Sequence, residues 1–220
     1  MAEKNSHSNS MDFSSEIDLN FISSRGITSK LHLAHENGAH SFVIVFEVAN
    51  GSTPRAHPKV LKDNISSKIS TLKHIEFMRI TRQNKLLFFT SHYDTAKELV
   101  NIKAILGVPV NASLYTEKIS TRFLLHNIPT DIPLSELAFE LEEENRVSVI
   151  ELKRFASKRA TPTFTSPVLV TILGTILPEH IRLWLTKEKI SLFVNKPRQC
   201  RNCHSFSHPI RDSILRGKSR

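Results

Sequence analysis

Cysteine is almost absent. The two present, Cys200 and Cys203, stand two residues apart, a spacing that suits metal or redox chemistry and excludes a disulfide framework. Glycine is scarce, six in 220 residues, and no glycine-rich loop of the kind that cradles phosphates occurs. No apolar run is long enough to cross a bilayer. Residues 1–10 are polar and lack the apolar stretch of a signal peptide, so a soluble, intracellular protein away from membranes is expected. Catalytic constellations are missing as well. The run Glu142-Glu143-Glu144 reads as a solvated helix end, and the 11 histidines are scattered, with no metal spacing among His32, His35 and His40. The expectation is a binding protein and not an enzyme.

What the chain does have is positive charge. Lys and Arg number 30 against 21 Asp and Glu, a formal net charge of +9, which favours anionic partners such as nucleic acid. The excess is uneven. Residues 41–118 hold 11 basic and 6 acidic groups, and residues 200–220 hold 5 and 1, whereas residues 119–199 are nearly balanced at 11 and 9.

Residues 1–38 are rich in Ser, Asn and His and read as a flexible leader, with a short ordered piece over 22–33. From residue 41 the pattern becomes regular. Strands are expected over 41–48, 72–82, 86–92 and 106–114. Helices are expected over 59–70, where Leu61, Ile65 and Ile69 recur four apart, and over 94–103. Gln83, Asn84 and Lys85 make the turn between the middle strands. The same order returns: strands over 122–128, 146–155, 168–176 and 190–194, with helices over 133–144 and 178–188. Each of those helices opens on proline, Pro133 and Pro178, and Ile181, Trp184 and Leu185 form the inner face of the second. The fold class is therefore expected to be α+β, two tandem ferredoxin-like β-α-β-β-α-β modules over 39–116 and 119–196, of the kind used for RNA recognition. A degenerate zinc knuckle over 197–213 and a basic tail over 214–220 follow.

Two helices on one sheet face leave the other face open, where bases can stack on aromatic side chains. In the first module Lys85 precedes Phe88 and Phe89. Neighbours on a strand face opposite ways, so one ring belongs to the core and the other to the open face; Phe46 is a second candidate ring. Phe89 is taken as the nucleic-acid contact, with Arg79, Arg82 and Lys85 around the hairpin as phosphate contacts. A solvated charged turn is the alternative. In the second module the run Phe123 to Pro129 resembles the first-strand signature of RNA-recognition motifs, but its stacking position is Leu124, so that sheet offers no base platform.

The strongest local signal is Cys200-Arg201-Asn202-Cys203-His204-Ser205-Phe206-Ser207-His208. Two cysteines in a tight turn and a histidine beyond them supply three ligands to a tetrahedral zinc. The fourth position of a C-x2-C-x4-H-x4-C knuckle falls on Ser213, which weakens zinc. A redox role for the pair would want a helix start after a strand; Lys196, Pro197 and Arg198 precede it instead.

Residues 176–181, the strand after them and the segment 196–208 together resemble the gag-like first-reading-frame proteins of jockey-type non-LTR retrotransposons. The resemblance is specific over about residues 120–210 and weaker over 40–118. It implies a protein that binds single-stranded RNA or DNA and packages element RNA into a cytoplasmic or nuclear ribonucleoprotein. The element's reverse transcriptase and further copies of the chain are the implied partners. It also implies zinc on Cys200, Cys203 and His208, and nucleic-acid contacts from Phe206, Arg201, Arg198 and Lys196. The family continues through further knuckles where this chain stops at Arg220, which suggests a truncated element copy. The competing reading is an interaction or self-association module with a vestigial knuckle, favoured by the sparse aromatics of the second module.

Overall fold

A computed structural model describes residues 18–48, 56–155 and 164–194. Of the leader expected over 1–38, residues 18–38 are described, and their order extends beyond the short piece expected over 22–33. Strand β1 (Asn20–Ile22) and helix α1 (Ile27–Glu36) are both packed elements. Ile27, Leu31 and Ala34 recur at helical spacing, and the latter two are fully buried. The polar composition around them hid a narrow apolar stripe. Gly38 ends the helix at φ +82. The Gly38 N–H donates to the His35 carbonyl at 3.1 Å and the Ala39 N–H to the Ala34 carbonyl at 2.9 Å, the reciprocal pair of a Schellman stop.

The first sheet is built from β2 (Phe42–Val48), β3 (Ile75–Ile80), β4 (Leu86–Thr90), β5 (Ala104–Ile105) and β6 (Val108–Leu114), with helices α2 (Pro58–Ser66) and α3 (Tyr93–Val100) between them. The strand order is β3-β4-β2-β6-β5, and every pair is antiparallel. Leu61 and Ile65 of α2, Ala96 and Leu99 of α3, and Leu31 of α1 share one core with Phe42, Ile44, Phe46, Leu86 and Phe88. All three helices therefore cover the face those strand residues present. The alternate residues Val43, Val45, Phe77, Leu87 and Phe89 fall on the opposite face, because side chains alternate along a strand.

The second sheet has the order β1-β8-β9-β7, from β7 (Ser120–Pro129), β8 (Val149–Arg154) and β9 (Thr165–Leu173), with helix α4 (Leu134–Asn145) laid on it. Its edge strand is β1, which pairs antiparallel with β8. Leu134, Leu137, Ala138 and Leu141 of α4 are buried as their periodicity predicts. Pro133 stands at the cap with no side-chain bond, and the Asp18 carboxylate accepts from the Leu134 N–H at 3.3 Å in its stead. Arg154 is 3 % exposed. Its guanidinium donates to the carbonyls of Pro129 and Ile132, both at 2.7 Å, and to the Ser166 hydroxyl at 3.0 Å. It thereby fixes the loop that leads into α4. Burial lowers its pKa although Asp18 and Asp131 pull the other way.

The helix expected over 178–188 is a hairpin, β10 (His180–Leu183) and β11 (Thr186–Lys189). Ile181 and Leu183 alternate into the core, whereas Trp184 and Leu185, assigned to the inner face, stand 40 % and 103 % exposed at the tip. The closing strand expected over 190–194 is reduced to one bridge, Leu192 against Phe123, and to a 2.7 Å bond from the Phe193 N–H to the Arg122 carbonyl. The class is α+β as expected, with four α-helices among the described residues and antiparallel sheets.

Candidate nucleic-acid interface

Strand alternation settles the two adjacent phenylalanines. Leu86, Phe88 and Thr90 point into the core and Phe89 points away from it. The three-residue turn Arg82-Gln83-Asn84, closed by a 2.9 Å bond from the Thr81 N–H to the Lys85 carbonyl, fixes the hairpin register, so Phe77 falls opposite Phe89 and Arg79 opposite Leu87. The rings of Phe77 and Phe89 stack with centroids 4.0 Å apart and planes 16° off parallel. Phe77 remains 52 % exposed. Val43 and Val45, paired in register with Phe89 and Leu87, make an aliphatic floor beside them. The pair is thus an apolar platform on the helix-free face.

Phe46 does not join it. That ring is 1 % exposed and meets Phe88 edge-on at 5.6 Å, so it belongs to the core. A turn at 83–85 would set Arg79 across from Phe89; the observed loop closes one residue earlier and brings Phe77 there instead.

The basic groups divide. Arg79 and Arg82 are exposed and form no ion pair among the described residues. Lys85 donates to the Glu47 carboxylate at 2.7 Å, which offsets its charge. Both partners are exposed, so the pair is worth at most about 1 kcal/mol, and a phosphate can displace it.

A groove of about 430 Å³ runs along this face past Val45, Leu87, Ser113 and Tyr115 to Arg122. The Tyr115 hydroxyl donates to Glu117 at 2.6 Å. That bond, with burial and the nearby carboxylate charge, raises its pKa, so the phenol stays protonated and a donor. Arg122 lies 4.0 Å from the other oxygen of Glu117, too long for a tight pair.

No family model, curated protein or solved structure matches the chain.

The second sheet contributes no platform. Its Phe123 is fully buried, and the face away from α4 carries Leu124, Leu169, Thr171, Glu151 and Lys153. The acidic run on α4 is not wholly solvated either: Glu142 takes a bidentate pair from Arg25 at 2.6 and 2.7 Å and caps the Val149 N–H at 2.7 Å. Lys196, Arg198, Cys200, Arg201, Cys203, Phe206, His208 and Ser213 lie outside the described residues. Among the described residues no three His, Cys, Asp or Glu side chains gather as a metal site, and no helix is long and apolar enough to cross a membrane.

Proposed function

We propose that this chain binds single-stranded RNA or DNA on the helix-free face of its first sheet. The observation that carries the reading is the Phe77 ring, exposed beside Arg79 and stacked on the half-buried Phe89. Phe77 keeps one face for Phe89 and offers the other to a base, while Phe89, between Phe77 and Val43, backs the platform. Stacking on aromatic rings contributes roughly 1–3 kcal/mol per base and tolerates any sequence. Arg79, Arg82 and Lys85 meet the phosphates.

The finer architecture belongs to the same proposal. Residues 42–114 run β-α-β-β-α-β-β, and without the two-residue β5 this is the plan of an RNA-recognition module, with β2 and β4 between β3 and β6. Residues 120–194 follow it with the hairpin β10–β11 in place of the second helix and the β1 strand added at the edge. A C-terminal knuckle would hold zinc on Cys200, Cys203 and His208, with Ser213 leaving the fourth position to a hydroxyl or water, and would order Phe206 against a base. The role is that of the gag-like proteins the sequence resembles: coating element RNA in a ribonucleoprotein.

The test is fluorescence anisotropy with a labelled single-stranded oligonucleotide across a salt series. Phe77→Ala is expected to weaken binding about tenfold, as the loss of one stacked base requires, without changing the salt slope. Deleting 200–220, which removes five basic side chains, should flatten the log–log slope by about 0.7 per lost phosphate contact. A zinc chelator should weaken the full chain and leave the deleted chain unaffected. Absence of binding at low salt would end the reading.

A further inference from the structure

We propose that the chain pairs with a second copy of itself along the outer edge of β3, joining two five-stranded sheets into one. This goes beyond nucleic-acid binding and does not depend on it. Strand β3 is the terminal strand of the first sheet, and among the described residues no strand covers its outer side. Such an edge is a ready template for another strand. It is unusually apolar on both faces. On the helix-free face stands Phe77, 52 % exposed; on the helix face stands Ile80, 44 % exposed. Under the helix face lies a mostly apolar slot of about 330 Å³ between α2 and the strand, lined by Ile65, Leu72, Ile75, Met78 and Phe88, with Lys62 as its charged member.

The occupant follows from the strand's own sequence, Ile-Glu-Phe-Met-Arg-Ile. Two copies related by a two-fold axis through the sheet keep like faces on the same side. The axis must then pass through a residue pair made of one position and its own copy. An axis at Glu76 opposes two carboxylates, and one at Arg79 opposes two guanidiniums; both are repelled. An axis at Phe77 sets Arg79 against Ile75, beyond the bulge between Ile75 and Phe77. An axis at Met78 sets Arg79 over the partner subunit's Phe77, twice, a cation against a ring face. It also brings the two Met78 side chains together at the mouths of the two apolar slots. That register opposes no like charges and leaves each Glu76 beside the partner's Ile80 at the rim. It sets Arg79 on the ring face of Phe77 that Phe89 does not cover, so a stacked base would have to displace it.

One short strand per copy covers less than the roughly 800 Å² a side of a typical stable interface, so association is expected to depend on concentration. Sedimentation velocity of the full chain, freed of nucleic acid, should show conversion from monomer to twice its mass as concentration rises. Phe77→Arg opposes Arg79 with a like charge and should weaken the dimer at least tenfold. The double variant Phe77→Arg with Arg79→Phe recreates the same two contacts with the partners exchanged and should restore it. Both positions are exposed, so a thermal melt close to the parent's is expected. Hydrogen exchange on the unaltered chain gives an independent reading: amides of residues 76–80 should lose protection on dilution while those of β5, the opposite edge, do not change. A monomer at every concentration, a dimer indifferent to Phe77→Arg, failure of the exchanged pair to restore association, or protection at β5 in place of β3 would each overturn the proposal.

Discussion

At the scale of single residues, His74 gives the first unit a pH response. His74 and His92 stack ring on ring, centroids 4.1 Å apart and 8° from parallel. They join the approach to β3 to the start of α3. His92 caps that helix: its Nδ1 accepts from the Thr95 N–H at 3.4 Å and meets the Thr95 hydroxyl at 3.1 Å. Burial lowers the pKa of His74, and the charges of His92 and Lys73 lower it further. The folded state thus binds fewer protons at His74 than the unfolded chain does. Its contribution to stability is fully present above the ordinary imidazole value of about 6.5, and it is lost as pH falls through the lowered folded value. Urea midpoints should therefore drop between pH 8 and pH 5, and His74→Gln should shrink that drop. An equal drop in the variant would assign the acid sensitivity elsewhere. The residue scale is also where the site was most legible in the sequence. Alternation predicts that only one of Phe88 and Phe89 faces out, but its partner Phe77 follows only from the observed loop Arg82–Asn84, one residue earlier than the turn expected at 83–85. Phe46 was open between two faces because a ring on a central strand fits either, and the packing of Phe42, Ile44 and Phe46 against the helices puts it in the core.

At the scale of elements, the hairpin at 180–189 shows what periodicity cannot decide. Ile181, Trp184 and Leu185 match a helical stripe, and Ile181 and Leu183 match a strand equally well. A run this short fits both periods. The tertiary slot beside α4 is filled by a hairpin, held by the Asn145 side chain, which receives the Arg182 N–H at 2.6 Å and donates to the Arg182 carbonyl at 2.8 Å. The turn itself is costly. Leu183 and Thr186 pair directly, and the two residues between them, Trp184 and Leu185, have φ of 49° and 66°. Two-residue hairpin turns of this kind want Asn-Gly, and a bulky residue held at positive φ costs roughly 1–3 kcal/mol. Leu185 is fully exposed, so little packing offsets the strain. Replacing the tip by Trp184→Asn with Leu185→Gly is expected to stabilise the protein by about 1–2 kcal/mol, a rise of about 2–8 °C in a thermal melt at this chain length. A lowered melting temperature would mean that Trp184 packs more usefully than its exposure indicates.

At the scale of the whole molecule, the two sheets are bound together by the segment read as a leader. β1 completes the second sheet, α1 enters the first core, and Arg25 between them grips Glu142 on α4. Nothing in a local pattern announces such a crossing, because the partners of β1 lie some 130 residues away. The end of β9 closes the same junction. Leu173 and Ile150 of the second sheet pack into the first core. The Gly174 N–H donates to the Ile119 carbonyl and its carbonyl accepts from the Thr121 hydroxyl, both at 2.7 Å. The Thr175 hydroxyl donates to the Gly38 carbonyl at 2.7 Å. With cores interleaved in this way, both sheets should melt in one transition. Gly174 is the sharpest test of that coupling. It has φ +107, and a Cβ there would stand 2.5 Å from the Asn37 Cβ and 2.6 Å from its carbonyl oxygen, backbone of the α1 stop that cannot swing aside. Gly107 has φ +77 and open space around its Cβ position. Gly107→Ala therefore costs only the left-handed backbone, about 1 kcal/mol, whereas Gly174→Ala adds displacement of a packed helix end and should cost at least about 2 kcal/mol more. In calorimetry the Gly174 variant should lower a single transition for the whole protein. Equal losses for the two variants would show that the junction yields freely. Two separated transitions in the parent would show that the sheets fold independently, with β1 and α1 a tether and not a weld.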